Sequence, residues 1–259
     1  MKSNLTRWIE ALLLLAFVST NLAFATPPKV DEPPPGLQSV TYRGHAFTTC
    51  TVNPKENDIR IFYKDDNGNL LRDFATVDKY VQSRRGKLLF AANAGMFEPD
   101  MKPVGLLLMN ANPVAPLNLK DGTGNFYMKP NGVFVVNQNN EAHIIESSEF
   151  PALVTPPVWA TQSGPLLVQG GNIHPDFNAD SKSLRIRSGV GLRKDGTVVF
   201  ALSTAPVNFY DFASLFLNKL NCPNALFLDG DLSAFYGPGM KYKFPQNFGP
   251  ILGVAEGLD

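Results

Sequence analysis

The feature that most restricts the fold of this chain is a series of short apolar runs, each closed by glycine, proline or asparagine. Short apolar runs bounded by these residues are typical of strands. They lie at residues 58–63, 87–92, 104–109, 132–136, 165–168, 185–192 and 197–203. The last two flank Asp195-Gly196, a dipeptide that favours a hairpin turn. The pattern predicts an α+β fold in a single domain, with a strand-rich, mostly antiparallel sheet and a few packed helices.

Helical patterns are few. A weak one covers Val77 to Arg85, and a stronger one covers Asn208 to Leu220. In the second, Asn208 can cap the helix, while Phe212 and Phe216 share one apolar face with Leu220. Because long helices do not alternate with the strands, a parallel α/β fold is disfavoured.

The N-terminal residues carry a different pattern. Lys2 and Arg7 precede an apolar stretch at 11–18, and Ala23-Phe24-Ala25 supplies small residues at cleavage spacing. This predicts a secretory signal over residues 1–25 and an exported protein, periplasmic or secreted, without stable membrane insertion after cleavage. The alternative is a membrane anchor, for which the apolar run is short.

Past the predicted cleavage site, two further regions are distinguished. Residues 26–36 form a proline-rich linker pattern, and residues 37–259 are predicted to be the functional domain. The whole chain has 23 basic and 23 acidic residues and no long run of one sign. A nucleic-acid partner is therefore not expected, since such a partner requires a basic stripe. No feature of the sequence predicts an oligomeric state.

The chain has two cysteines, Cys50 and Cys222. An even count in an exported protein favours a disulfide, and that is the expectation here; two buried free thiols are the alternative. With only three histidines, scattered along the chain, no paired ligand spacing supports a metal site, and no cofactor is expected. Nucleophile, zinc-protease and phosphate-loop motifs are also absent. An enzyme built on this chain would work with carboxylates, amides and arginine.

Three segments place polar groups beside apolar runs. Asn93 follows one run, Asp229-Gly230-Asp231 follows another, and Arg185 and Arg187 alternate within a third. Glycine at a strand end allows close approach of a ligand, and the arginine fork suits phosphate or carboxylate. Each segment also has a plain alternative: a turn for the aspartates and a solvated face for the arginines.

Five motifs occur in a defined order along the chain: residues 93–97, 103–106, 162–167, 187–191 and 228–233. With this ordered set the chain resembles the phosphodiester glycosidase family over about residues 40 to 255. It departs from the family pattern at Met96, where an aromatic residue is usual, and at Ser188, where threonine is usual. Asp231 and Leu232 replace two glycines.

The resemblance implies a hydrolase that cleaves a sugar-1-phosphodiester linkage in an envelope or extracellular glycan, with a glycan or sugar phosphate as its substrate. It assigns catalytic roles to Asp229, Arg187 and Asn93. The substrate-binding residues that it implies are Gly95, Gln162, Ser163, Gly230, Asp231 and Ser233. Two alternatives stay open: a non-catalytic carbohydrate-binding or scaffold module, and a phosphodiesterase whose divalent cation is held by Asp229 and Asp231.

Overall fold

The computed structural model describes residues 36–229, 232–237 and 247–258. The predicted signal at 1–25, nearly all of the linker at 26–36, and Gly230 and Asp231 lie outside these residues. The domain boundaries drawn from the sequence therefore stay predictions.

Strands make up most of the regular secondary structure of the described chain. In chain order they are β1 (Leu37–Tyr42), β2 (His45–Val52), β3 (Asp58–Phe62), β4 (Lys87–Asn93), β5 (Leu107–Met109), β6 (Asn112–Ala115), β7 (Gly132–Asn137), β8 (Ala142–Glu146), β9 (Pro157–Ser163), β10 (Leu166–Gln169), β11 (Asn172–Ile173), β12 (Ser188–Leu192), β13 (Val198–Ser203), β14 (Asn224–Asp229), β15 (Phe235–Tyr236) and β16 (Ile251–Glu256).

These strands form three sheets. The largest has the order β1-β2-β13-β12-β14-β10-β11, the second β15-β4-β16-β3, and the third β6-β5-β9-β7-β8. Every named strand pair in the described chain is antiparallel. The strand-rich, mostly antiparallel architecture predicted from the sequence is confirmed, and the strand content makes the fold mostly β.

The β12–β13 hairpin forms where Asp195-Gly196 predicted it. Ser188 pairs with Leu202, and Leu192 pairs with Val198. Gly196 has φ +87°, a conformation that is costly for residues with a β-carbon. The Asp195 side chain accepts a hydrogen bond from the Thr197 N–H at 2.9 Å, which closes the turn.

Two helices pack on the sheets. Helix α1 (Phe74–Ser83) begins after Asp73, whose carboxylate accepts a hydrogen bond from the Thr76 N–H at 2.7 Å. Helix α2 (Phe209–Ser214) begins after Asn208, which accepts from the Asp211 N–H at 2.8 Å, and continues as a π-helical turn (Leu215–Lys219). Short 3₁₀ turns lie at Asn125–Tyr127 and Phe150–Ala152. Both predicted helical regions are confirmed.

Alternation along β14 divides the apolar side chains between two cores. Leu226 and Leu228 point into a core shared by the three sheets, whereas Ala225 and Phe227 pack against α2 and the turn that follows it. All four side chains are fully buried. Because both faces are covered, β14 is an uninterrupted apolar run rather than an alternating one. The strand ends at Asp229, and its position is fixed by packing on both sides.

The expected disulfide does not form. Cys50 and Cys222 are free thiols, and both are buried. Cys50 on β2 lies in the core between the sheets, whereas Cys222 lies in the core beneath α2, on the opposite face of the seven-stranded sheet. Burial raises the pKa of each thiol to about 12, so both stay protonated. A bridge would have to pass through the sheet.

Candidate active site

Asp229 is the last residue of β14, and it pairs with Ser188, the first residue of β12. The register shifts between Ser188 and Gly189, so the two strands separate at this point. Such a bulge redirects a side chain at the end of a ladder. The Asp229 side chain is partly exposed, although the preceding four residues are fully buried.

Asn93 lies at the end of β4 and is 1% exposed. Its Nδ2 donates to Ser188 Oγ at 2.9 Å, and its Oδ1 accepts from the Ala234 N–H at 3.2 Å. This amide therefore joins the four-stranded sheet to the seven-stranded one beside Asp229. Its hydrogen bonds position protein groups around Asp229.

Two hydroxyl groups hold the main chain of Asp229. Ser233 Oγ donates to the Asp229 carbonyl oxygen at 2.6 Å and lies 3.2 Å from Ser188 Oγ. Ser188 Oγ is 3.3 Å from the same carbonyl. The Leu232 N–H donates to the Asp229 Oδ1 at 3.5 Å. The network thus fixes the backbone of Asp229, a residue that lines a cavity.

That cavity has a volume of about 450 Å³ and is open to solvent. Asp229 and Glu98 contribute carboxylates, and most of the remaining wall is apolar or aromatic. The described lining residues are Met96, Phe97, Glu98, Pro99, Met101, Val104, Thr123, Gly124, Asn125, Phe126, Tyr127, Asp229 and Leu232. A cavity of this size, with few polar groups on an apolar wall, suits a small organic group such as one sugar ring.

Arg187 precedes Ser188 and is 1% exposed. Its Nε donates to the Val207 carbonyl at 2.9 Å and its Nη2 to the Ser183 carbonyl at 3.0 Å. The guanidinium carbon lies 3.6 Å from the centre of the Phe209 ring and 5.5 Å from that of Phe227. Arginine keeps its charge when buried, so these contacts hold a fixed positive charge behind the strand end.

Arg185 does not share this environment. It lies before β12, is exposed, and pairs with Val207 in an isolated bridge. The expectation that the two arginines lie on one face of a strand is therefore wrong, because the strand begins only at Ser188.

Gln162 and Ser163 lie at the end of β9 and are buried. Gln162 Oε1 accepts from the backbone N–H groups of Leu106 and Asn118 at 3.0 and 2.9 Å. Its Nε2 donates to the Asn118 carbonyl at 2.7 Å and to Ser147 Oγ at 3.0 Å. Ser163 Oγ donates to the Leu228 carbonyl at 2.9 Å. These contacts fix the two ends of the β5–β6 segment and the end of β14.

Gly95 is needed for packing between strands. A β-carbon at this position would lie 2.2 Å from the Gln162 carbonyl oxygen and 2.7 Å from Thr161 Oγ1. The Gly95 N–H donates to that same Oγ1 at 3.1 Å. The sequence suggested that Gly95 leaves space for a ligand. In the structure, β9 occupies that space.

The structure thus brings Asn93, Asp229 and Ser233 together and places Arg187 directly before the residue that joins them. Of these four, only Asp229 lines the cavity. Sequence reasoning did not assign a role to Ser188, which is the hub of the network. In the sequence, the available signal for this role was a small residue with a hydroxyl group between Arg187 and Gly189. The aromatic wall at Phe97 and Phe126 was also missed, since it comes from loops.

No group of three or more metal-ligating side chains gathers within residues 36–229, 232–237 and 247–258. Over the same ranges, no helix has the length and apolar character required to cross a membrane.

Comparison with known proteins gives consistent matches. The phosphodiester glycosidase family matches residues 86–239. The uncharacterized protein YigE of Escherichia coli K12 is 35% identical over 189 residues, which cover 73% of each chain.

Solved structures share the fold. The catalytic domain of zebrafish N-acetylglucosamine-1-phosphodiester alpha-N-acetylglucosaminidase, auto-inhibited by its pro-peptide, superposes with a TM-score of 0.61 at 15% identity, covering 87% of this chain and 84% of that one. A hypothetical protein from Synechocystis gives a TM-score of 0.54 at 16% identity over 87% of this chain and 64% of its own. A Burkholderia pseudomallei K96243 protein, named as exported, gives 0.54 at 11% identity, with coverages of 81% and 74%. The match to residues 86–239 and the Escherichia coli relative show that this chain belongs to the phosphodiester glycosidase family.

Proposed function

We propose that this protein is an exported hydrolase that cleaves the C1–O–P linkage of a sugar-1-phosphodiester in an envelope or extracellular glycan. The observation that carries the proposal is the placement of Asp229. Its carboxylate lines a cavity of about 450 Å³, while two hydroxyls hold its backbone. Membership of the phosphodiester glycosidase family supports the same reaction class.

The chemistry needs a carboxylate near C1 of the sugar. Cleavage of this bond builds positive charge on the ring, and Asp229 stabilises that charge or attacks C1 as a nucleophile. A phosphate departs without much protonation, so the reaction has little need of a strong general acid. Asp229 is thus the proposed catalytic residue, and its partly exposed position allows it to reach a bound sugar.

Arg187 does not line the cavity, so it is proposed to act on the departing phosphate through its positive charge, from behind the strand end. Its guanidinium is held by two carbonyls and by the ring of Phe209, so little reorganisation is needed as negative charge grows. Asn93 and Ser233 are proposed as positioning residues that act through Asp229, in agreement with their hydrogen bonds. Gly230 and Asp231 follow Asp229 in the chain and stay proposed substrate contacts.

Turnover of synthetic sugar-1-phosphodiesters tests this function. We expect the wild-type protein to release the free sugar and a phosphomonoester, and Asp229→Asn to reduce kcat by at least about 10³-fold, since it removes the charge at C1. Asp211→Asn is the matched control, because Asp211 pairs with Arg43 at 2.9 Å on helix α2 and does not line the cavity. It should retain wild-type turnover.

The remaining outcomes identify the alternatives. Glycan binding without turnover of any sugar-1-phosphodiester would favour a non-catalytic module. Turnover that a chelator abolishes and a divalent cation restores would favour a metal-assisted phosphodiesterase. Export is tested separately: the mature protein purified from the envelope or medium should begin at Thr26 when its N-terminus is sequenced.

A further inference from the structure

A second cavity, of about 600 Å³, lies along β3, an edge strand of the four-stranded sheet. Its walls come from β3, from helix α1, from Met109-Asn110 at the end of β5 and from Val158-Trp159 in β9. None of its described lining residues lines the Asp229 cavity. β15, which follows that first site in the chain, is the opposite edge strand of the sheet. The two cavities are therefore separate.

One wall of this β3 groove is built from paired charges and an aromatic ring. The Arg84 guanidinium lies 3.6 Å from the centre of the Tyr80 ring and forms an ion pair with Asp66. Tyr80 donates its hydroxyl proton to Asp66 at 3.1 Å. Arginine has five N–H donors and a carboxylate accepts about four hydrogen bonds, so a pair fixed in this way can still bind ligand hydroxyls.

The opposite wall contains Trp159, which is half-buried and packs against the central core. Within the described chain its indole N–H donates no hydrogen bond. A tryptophan ring held in this way presents its apolar face to a ligand, and its indole N–H can donate a hydrogen bond to the same ligand. Asn110, beside it on the same wall, likewise has a side-chain amide with no protein partner in the described ranges.

Lys64 supplies the cation of the groove. It is exposed, and its ammonium lies 5.5 Å from the centre of the Tyr63 ring. No carboxylate among residues 36–229, 232–237 and 247–258 forms an ion pair with it. The two groove acids, Asp58 and Asp66, are each paired with an arginine instead. Lys64 is thus positioned to receive an anionic group from outside.

We propose that the β3 groove binds an acidic oligosaccharide, with a sugar ring against Trp159 and a carboxylate or phosphate substituent at Lys64. The groove combines two ion-paired acids with one lysine that has no acidic partner in the described chain, which favours a hydroxyl-rich ligand with anionic substituents. The groove would hold a glycan independently of turnover at Asp229.

Tryptophan fluorescence tests the proposal directly. The chain has two tryptophans, Trp8 and Trp159, so Trp8→Phe in the full chain leaves Trp159 as the single reporter. The probe is tetragalacturonate. The control ligand is maltotetraose, an uncharged tetrasaccharide, and neither ligand contains a phosphodiester. We expect a saturable change in Trp159 emission with tetragalacturonate and binding at least about tenfold weaker with maltotetraose.

Two variants in the Trp8→Phe background locate the site. Lys64→Gln should weaken tetragalacturonate binding about tenfold, because it removes a charge-assisted contact. Lys194→Gln, an exposed lysine on the β12–β13 turn, should leave binding unchanged. Asp229→Asn should bind as the parent does, which separates this proposal from the proposed catalytic function.

The proposal is overturned if Trp159 emission shows no saturable change, if maltotetraose binds as tightly as tetragalacturonate, or if Lys64→Gln and Lys194→Gln behave alike. A response equal to that produced by sodium acetate at the same carboxylate concentration would also overturn it, since only a free anion would then be bound.

Discussion

At Asp229, two hydroxyl groups hold the main chain of a residue that lines the cavity. The carbonyl accepts from Ser233 at 2.6 Å and lies 3.3 Å from Ser188 Oγ. Asn93 supports both hydroxyls by its bond to Ser188. A residue whose backbone is held in this manner has a defined position at the cavity wall.

Ser188 tests the positioning role. Ser188→Ala removes the hub and leaves the Asn93 amide without its acceptor, so kcat should fall about 10- to 100-fold with a smaller change in KM. The Asn93 amide, left buried without this acceptor, should also lower the unfolding free energy by about 1–3 kcal/mol. Ser188→Thr keeps the hydroxyl and should restore kcat. Equal kcat values for Ala, Thr and Ser at this position, measured with a sugar-1-phosphodiester, would show that the hub does not position Asp229.

Gly95 is a packing residue at the same scale. Gly95→Ala would place a β-carbon 2.2 Å from the backbone oxygen of Gln162, which cannot move without displacing β9. We expect a loss of roughly 1–3 kcal/mol or more in a denaturant unfolding experiment. Gly122→Ala is the control, because the atoms nearest to its new β-carbon belong to the Tyr127 ring, a half-buried side chain that can shift more easily than a backbone oxygen. If Gly95→Ala kept full stability but lost activity, the ligand-approach role would be favoured instead.

Helix α2 and its π-helical turn act as one element that fixes where β14 ends. Phe212 and Phe216 are fully buried and contact each other edge-to-face at a ring distance of 5.3 Å. Phe227 of β14 packs in the same cluster, two residues before Asp229. The position of the carboxylate therefore depends on a core at some distance from the cavity.

Phe216→Ala measures that dependence. Removing a fully buried ring leaves a cavity and should lower the unfolding free energy by roughly 3–5 kcal/mol. Lys219→Ala, exposed in the same turn, should change it by less than about 0.5 kcal/mol. A loss under about 1 kcal/mol for Phe216→Ala, by urea titration, would mean that the core relaxes around the missing ring.

Local signals account for the elements that were predicted correctly. The β12–β13 hairpin follows from Asp195-Gly196, and α2 follows from the Asn208 cap and its apolar spacing. Strand β5 is shorter than its apolar run suggested: it begins at Leu107, because the Leu106 N–H donates to the Gln162 side chain and not to a backbone carbonyl of a neighbouring strand. A long-range hydrogen bond overrides the local pattern there.

At the scale of the whole molecule, the seven-stranded sheet separates two cores, and each contains one cysteine. We expect no reaction of Cys50 or Cys222 with a thiol reagent at pH 8 in the folded protein, because both thiols are buried with pKa values of about 12. Two thiols should titrate after unfolding without reductant. Two thiols that appear only after reduction would show that the protein forms a bridge after all.

The site itself is a product of this arrangement. Asn93 is 136 positions from Asp229, and Ser188 is 41 positions from it. They meet because β4 and β14 belong to different sheets whose ends converge, with β12 between them in the hydrogen-bond network.

The sequence by itself determined the antiparallel strand content, the hairpin, the α2 helix and the identity of Asp229 as a polar group at the end of an apolar strand. These depend on turn chemistry, capping and side-chain period, which act over a few residues. Only the tertiary structure decided that the cysteines lie in separate cores, that Gly95 packs against β9, and that Ser188 joins Asn93 to Asp229. Those outcomes depend on which strands are neighbours and on which face each side chain lies, and contacts between residues far apart in the chain set both.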